Sequence, residues 1–436
     1  MNRPRETPYR SLDGLIDLAA GRVARDVYFD EAVYQLELER VFAQAWLCVG
    51  HESQIPQPDD YISQYMGEDP VIVWRDADQR VRVFLNSCPH RGMKVCRQES
   101  GNAQAFICPY HGWTFDSSGR LVGVPHEKLA FGPDFDRASR GLLEATRVDI
   151  YAGFVFASWE PRGPTLSAWL GDLRWYLDIM ATRQLCRLEV LPGQQRYRVQ
   201  SNWKVAAENF AGDTYHAFHS HASSFLVGTM PPMQAGVDHT VALDYGHGSL
   251  MLPKLGAAHA ADVELAGLFG HEAVEYVGDL HAKLEAELGG LQAEVYALGV
   301  TNIFPHFSFN DFSAFHASTL LHWHPKGAQC MEVWQSLALD SEAPAAIRQF
   351  VLRQAPGEQA VSGFFGQDDV ENMEQVTEAS RGVIARRLPF DYTMGFGITE
   401  RELPAGLPGR LDNSLNESNQ RNFYAQWLAM MSGQRA

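Results

Sequence analysis

The chain has 436 residues, enough for two domains with cores of their own. Hydrophobic residues make up 45% and charged residues 20%, the balance of a globular protein rather than a disordered or fibrous one. A net charge of −17 without any cluster of Lys and Arg argues against nucleic acid and anionic membrane as partners. No apolar run approaches the roughly 18 residues of a membrane span. The opening Met1 to Pro8 carries basic residues without an apolar stretch behind them, so no secretory signal is expected. Six cysteines suit a reducing cytoplasm better than a disulfide framework, and Cys48, Cys96, Cys186 and Cys330 are expected to be small buried hydrophobes.

In chain order, a helical opening from Glu31 to Trp46 leads into short strands. Val71 to Trp74 and Val81 to Leu85, separated by the polar turn Asp76-Ala77-Asp78, predict a hairpin whose second strand runs into Cys88. Phe106-Ile107 and Trp113-Thr114-Phe115 bracket Cys108 and His111 in the same way. Gly153 to Trp159 reads as a closing strand and Pro161 to Pro164 as a boundary. The first domain is therefore expected over 42–160, with 1–41 and 161–436 forming the second. Thr165 caps a predicted helix to about Arg183, and Asn202 opens one expected to carry Asp213, His216 and His221. Phe312 to Trp323 and Met331 to Leu339 read as strands. Helices are expected over Ala345 to Arg353 and over a longer stretch that carries Asp369 and runs to about Arg381, with a stop at Gly382. This periodicity alone gives an α+β fold.

Chemistry enters with Cys88-x-His90, seventeen intervening residues, and Cys108-x-x-His111. Two thiolates and two imidazoles in this spacing suit a Rieske [2Fe–2S] cluster, in which two cysteines hold one iron and two histidines the other. A structural zinc site is the competing reading, but zinc motifs commonly pair like with like. Here each short motif carries one Cys and one His.

A second constellation is Glu208-Asn209-Phe210-Ala211-Gly212-Asp213-Thr214-Tyr215-His216, with His221 five residues later. Two such histidines and one distant carboxylate would complete a facial triad on Fe(II), leaving positions open for oxygen. Chance is the bland reading of the spacing alone, since the chain has 16 histidines.

Together, Cys88-Pro89-His90-Arg91-Gly92, Cys108-Pro109-Tyr110-His111-Gly112-Trp113 and the His216 segment resemble the large subunits of bacterial Rieske aromatic-ring-hydroxylating oxygenases. The resemblance runs from Tyr34 to the segment Gly366-Gln367-Asp368-Asp369-Val370-Glu371-Asn372. It implies an all-β Rieske domain and a catalytic domain built as a helix-covered antiparallel sheet, the helix-grip fold. It implies that Asp369 is the third iron ligand, with Asp368 the alternative. It also implies a terminal oxygenase that adds both atoms of O2 to an arene and forms a cis-dihydrodiol. Electrons would originate in NADH and arrive through a ferredoxin or reductase. The expected assembly is a trimer of this chain with a small beta subunit, α3β3. Asp213 matches the aspartate that bridges His216 to the neighbouring copy's equivalent of His111, and Asn209 is a second candidate catalytic residue. A Rieske monooxygenase or demethylase would share every ligand. A pure electron carrier would need neither His216, His221 nor Asp369.

Phe210, Phe364 and Phe365 match positions at the arene pocket, and their apolar walls suit a neutral arene. Gln359 and the histidines between 219 and 324 leave an aromatic carboxylate open, although no Arg or Lys to receive it is evident.

Overall fold

A computed structural model describes residues 12–227, 236, 238–252, 254–358, 360–398 and 403–433; Met1 to Pro8 and Gln359 lie outside the described residues. Two compact units are present, Phe42–Leu166 and the remainder of the described chain.

The smaller unit is all-β. Its strands are β1 Leu47–His51, β2 Asp60–Met66, β3 Asp69–Arg75, β4 Val81–Leu85, β5 Ser100–Asn102, β6 Ala105–Ile107, β7 Thr114–Asp116, β8 Leu121–Gly123, β9 Arg147–Tyr151 and β10 Phe154–Ser158. They form three antiparallel sheets in the orders β4-β3-β2-β5, β8-β7-β6 and β9-β10-β1. The expected hairpin pairs Val73 with Val83, and its turn is closed by Asp76, whose Oδ1 accepts from the N–H groups of Asp78 and Arg80, each at 2.9 Å. Trp74, Phe84, Phe106 and Phe115 fill the core, and Cys88 and Cys108 reach it from their loops.

In the larger unit the strands of the main sheet are β11 Leu188–Val190, β12 Gln195–Val199, β13 His239–Ala242, β14 Gly248–Leu252, β15 Gly299–Ile303, β16 Phe307–Asp311, β17 Ser318–Pro325, β18 Met331–Asp340 and β19 Arg410–Asn413, and the short strands Ile16–Asp17, Arg22–Val23 and Phe390–Asp391 pair apart from it. One nine-stranded sheet runs β11-β18-β17-β16-β15-β14-β13-β19, with β12 also paired to β18. Helix α1, Trp203–Gly212, packs on β14 to β17 and meets α2, Phe364–Ser380, and α3, Ser418–Met431.

A buried polar knot fixes α1. Lys204 Nζ donates to Glu37 Oε1 at 2.6 Å, and the indole N–H groups of Trp203 and Trp427 donate to the same carboxylate at 3.0 and 2.8 Å. Both charged side chains are fully enclosed, so each depends on the other for compensation.

Several expectations need correction. Helix α1 stops at Gly212, so Asp213 is its C-cap and neither His216 nor His221 lies on it. The Thr165 to Arg183 helix is two, Leu166–Leu170 and Leu173–Thr182, parted by Gly171 at φ +49°. The strand expected from Phe312 begins only at Ser318, and the helix from Ala345 continues to Glu358. Cys48 and Cys96 are buried, but Cys186 is exposed and Cys330 half-buried, because both sit in connections outside the core; all six thiols are free. Among the described residues no helix is long and apolar enough to cross a membrane.

Candidate metal centres

The two Cys/His motifs fold into the same turn twice. Cys88 N–H donates to Met93 O at 2.8 Å and its carbonyl accepts from Gly92; Cys108 N–H donates to Trp113 O at 2.7 Å and its carbonyl accepts from Gly112. Each turn needs a left-handed residue, supplied by Gly92 at φ +74° and Gly112 at φ +73°. A Cβ at position 112 would also lie 2.8 Å from Pro125 Cγ.

These turns bring the Cys88 and Cys108 thiols within hydrogen-bonding reach and the His90 and His111 rings to 4.5 Å. The cysteines are buried and the histidines half-buried, with Trp113 stacked on His90 at 4.8 Å. His90 Nδ1 is buried without a hydrogen-bond partner. Such a nitrogen beside two converging thiols is an unfavourable arrangement for a metal-free protein and the right donor set for a [2Fe–2S] cluster.

The second centre is assembled from α1, the turn behind it and α2. Asn202 caps α1 by accepting from Lys204 N–H at 3.1 Å. At the other end Gly212 is required by close packing, since a Cβ there would meet Asn419 Cβ at 2.6 Å. Asp213 follows with its N–H on Asn209 O at 2.9 Å, and its Oδ1 accepts from His216 N–H at 3.2 Å. His216 then opens the short helix Ala217–Ser220, and His221 joins it to Ala222–Leu226.

From the opposite side α2 presents Asp369, whose Oδ1 lies 3.4 Å from His216 Nε2 and 3.3 Å from His221 Nε2. One ligand atom from each of the three falls within 4.8 Å of the others, the one such group found among the described residues. Asp368 faces the far side of His221, its Oδ2 3.3 Å from Nδ1. Asp213 Oδ1 takes the corresponding place 3.6 Å from His216 Nδ1.

The electrostatics call for a cation. Burial opposes charge on His216, yet Asp213 and Asp369 together push it up to about 10. Burial would raise Asp369, but the two imidazoles bring it to about 2. Asp369 Oδ1 is buried without a hydrogen-bond partner although two Nε2 atoms face it. Divalent iron satisfies this donor set, because it replaces the proton that His216 otherwise holds.

A cleft of about 360 Å³, solvent mouth included, opens beside Asp369. Phe210 lines it, together with Tyr197, Leu321, Trp323, Val333 and Met373, none of which the sequence singles out. Leu321 and Trp323 alternate on β17, a signal diluted there because the whole strand is buried. Phe365 instead packs edge-on against His221 at 4.8 Å, with Phe364 against Phe365 at 4.4 Å. Asn209 is half-buried one turn before Asp213. Among the described residues no Lys or Arg lines the cleft.

Comparison with known proteins matches residues 45–133 to the Rieske [2Fe-2S] domain and 166–433 to the ring hydroxylating alpha subunit catalytic domain. The chain is 39% identical to chlorobenzene dioxygenase subunit alpha of Cupriavidus sp. (strain PS12), covering 97% of this chain and 94% of that one. It is 38% identical to biphenyl 2,3-dioxygenase subunit alpha of Rhodococcus jostii (strain RHA1), covering 96% and 90%. Naphthalene 1,2-dioxygenase from Rhodococcus sp., solved with indole bound, superposes with a TM-score of 0.83 at 32% identity over 96% of this chain and 98% of that one.

Proposed function

The chain belongs to the Rieske ring-hydroxylating dioxygenase alpha subunits, terminal oxygenases with a [2Fe–2S] cluster and a mononuclear iron, and from that premise we propose that it cis-dihydroxylates a neutral arene held in the cleft beside Asp369. The reaction of this family joins one arene, one O2, two electrons and two protons into a cis-dihydrodiol. Cys88, His90, Cys108 and His111 are the proposed cluster ligands, and His216, His221 and Asp369 the proposed iron ligands. The observation that carries the reading is Asp369 Oδ1 standing 3.4 and 3.3 Å from the two histidine Nε2 atoms at the edge of an apolar cleft.

Iron held there supplies the oxygen activation that a closed-shell arene cannot provide for itself. The protein's own groups do the rest. Asp368, 3.3 Å from His221 Nδ1, favours the tautomer that leaves His221 Nε2 as the ligating atom, while Asp213 positions His216 by accepting from its backbone N–H at 3.2 Å and places its carboxylate on the ring's Nδ1 side. Phe210, Trp323 and Met373 bury the substrate ring and exclude water. A neutral arene suits these walls; a carboxylate would enter them without a cationic partner.

The proposed assembly is a cytoplasmic trimer of this chain, joined by a small beta subunit and fed from NADH through a reductase or ferredoxin. Asp213, already on His216, would also meet the neighbouring copy's His111 and link that cluster to this iron. The test is about three irons per chain, two in the cluster and one mononuclear, with a Rieske-type paramagnetic resonance signal after reduction. One iron or none, or a zinc-filled site without that signal, overturns the assignment.

A further inference from the structure

The two Cys/His turns are alike, but the chain closes beneath them in different ways. Beneath Cys108 and His111 the arms of the loop are β6 and β7, whose ladder pairs Phe106 with Phe115 and Ile107 with Thr114. Beneath Cys88 and His90 the incoming arm is β4, at the edge of its sheet, and the outgoing residues Val95 and Cys96 are irregular. One side chain takes the place of the ladder. Asn86 Oδ1 accepts from the N–H groups of Val95 at 2.9 Å and Cys96 at 3.0 Å, and its Nδ2 donates to Cys96 O at 2.7 Å.

This tie brackets the first turn closely. Asn86 lies two residues before Cys88, and Val95 two residues after Met93, whose carbonyl receives the Cys88 N–H. The backbone N–H of Asn86 donates to Pro70 O at 2.8 Å, so the anchor is itself fixed to β3. An amide side chain offers an acceptor and a donor together, which is what two N–H groups and a carbonyl facing it require. Asn86, Val95 and Cys96 are 2, 5 and 3% exposed, so water does not compete for these bonds. Removing the amide would leave three buried backbone groups without it, an unfavourable state that the loop can relieve only by moving.

We propose that Asn86 is a positioning residue for the cluster, locking the first loop so that Cys88 and His90 meet Cys108 and His111 in the geometry of a [2Fe–2S] site. This rests on the reading of those four residues as the cluster ligands. In a Rieske cluster the two cysteines share one iron and the two histidines the other, so each loop supplies one ligand to each iron. A shift of one loop against the other therefore strains both irons. The second loop has a ladder to resist that shift, and the first relies on one amide.

The test compares the holoenzyme as wild type, Asn86→Ala and Asn86→Asp. In wild type the Val95 and Cys96 amides should exchange with deuterium about as slowly as the paired amides of β6 and β7, read by mass spectrometry with fragmentation to single residues. In Asn86→Ala those two amides should exchange about ten-fold faster or more, while β6 and β7 stay protected. The same variant should lose cluster iron to a chelator roughly ten-fold faster. Its reduction potential should rise, because water admitted beneath the loop stabilises the more negative reduced cluster. Asn86→Asp keeps the acceptor for both N–H groups, so it should restore their protection and fall between the other two in iron loss. Rapid exchange at Val95 and Cys96 in wild type, which needs no variant to fold, overturns the tie. Lost protection in Asn86→Ala with unchanged potential and iron loss overturns the positioning role, and so does Asn86→Asp behaving no better than Asn86→Ala. A wild type without a Rieske-type resonance removes the ligand reading instead, whatever the amides do.

Discussion

Asp368 Oδ2 lies 3.3 Å from His221 Nδ1, the ring nitrogen opposite the Nε2 that faces Asp369. Consecutive residues on a helix point about 100° apart, so α2 directs one carboxylate into the metal-binding group and its neighbour behind the same imidazole. Their substitutions should separate. Asp369→Asn is expected to lose the mononuclear iron and with it product formation, while the cluster stays reducible. Asp368→Asn should keep the iron but bind it roughly 10- to 100-fold more weakly. Metal analysis after dialysis against a graded chelator checks both, and the reverse order of losses would exchange the two roles.

Asp213 provides a kinetic prediction. Burial would raise its carboxyl, but hydrogen bonding to His216 holds it below the usual carboxylate range. Asp213→Asn preserves shape and one acceptor oxygen while removing the charge. Both metal sites should assemble, and a pre-reduced enzyme given O2 and arene should reoxidise its cluster far more slowly than wild type in stopped-flow absorbance. An unchanged rate with normal iron content would confine Asp213 to capping α1.

The cluster loops give a graded pair. Gly112→Ala requires a left-handed alanine, at roughly 1–2 kcal/mol, and drives Cβ to 2.8 Å from Pro125 Cγ. Gly92→Ala carries the same backbone penalty, but the nearest atom its Cβ would meet is Ser87 Oγ at 3.9 Å. Loss of the reduced-cluster resonance should therefore be much greater for Gly112→Ala. Equal losses would mean that backbone strain alone decides.

Glu208 should make stability depend on pH. Half-buried on α1, it accepts from the hydroxyls of Tyr28 at 3.2 Å and Tyr392 at 2.9 Å. Burial lifts its carboxyl from 4.5 to about 7, against the opposing tyrosine hydrogen bonds. Between those values the folded chain keeps a proton that the unfolded chain has released, so this group's contribution declines as pH rises through the window and is gone above it. From pH 5 to pH 8 wild type should lose roughly 3 kcal/mol relative to Glu208→Gln, read from denaturant midpoints of both proteins at the two pH values. Parallel pH profiles would contradict this.

The sequence made the ligand sets legible because metal chemistry restricts residue type and spacing. The Cys88 and Cys108 turns follow from their flanking strands, and the Val73 to Val83 pairing from alternation and a polar turn. The need for glycine at 212 was not legible, since what demands it is Asn419, more than two hundred residues away. Helices Ala257–Ala266 and His271–Leu288 were missed, and so were most of the walls of the cleft beside Asp369. The cleft joins Tyr197, Trp323 and Met373 from three elements, and only tertiary packing brings them to one place. Asp369 ranks ahead of Asp368 in the sequence by family resemblance alone; which imidazole nitrogen each one faces is set by the tertiary placement of α2.

The most direct test of the central claim is the fate of oxygen in one turnover. Fully reduced enzyme, free of reductase, is mixed with an unsubstituted arene and ¹⁸O2, and the product is analysed by mass spectrometry. A cis-dihydrodiol carrying label in both hydroxyl groups is the predicted result. A product with a single labelled oxygen, or with label only in water, would contradict dioxygenation by this chain.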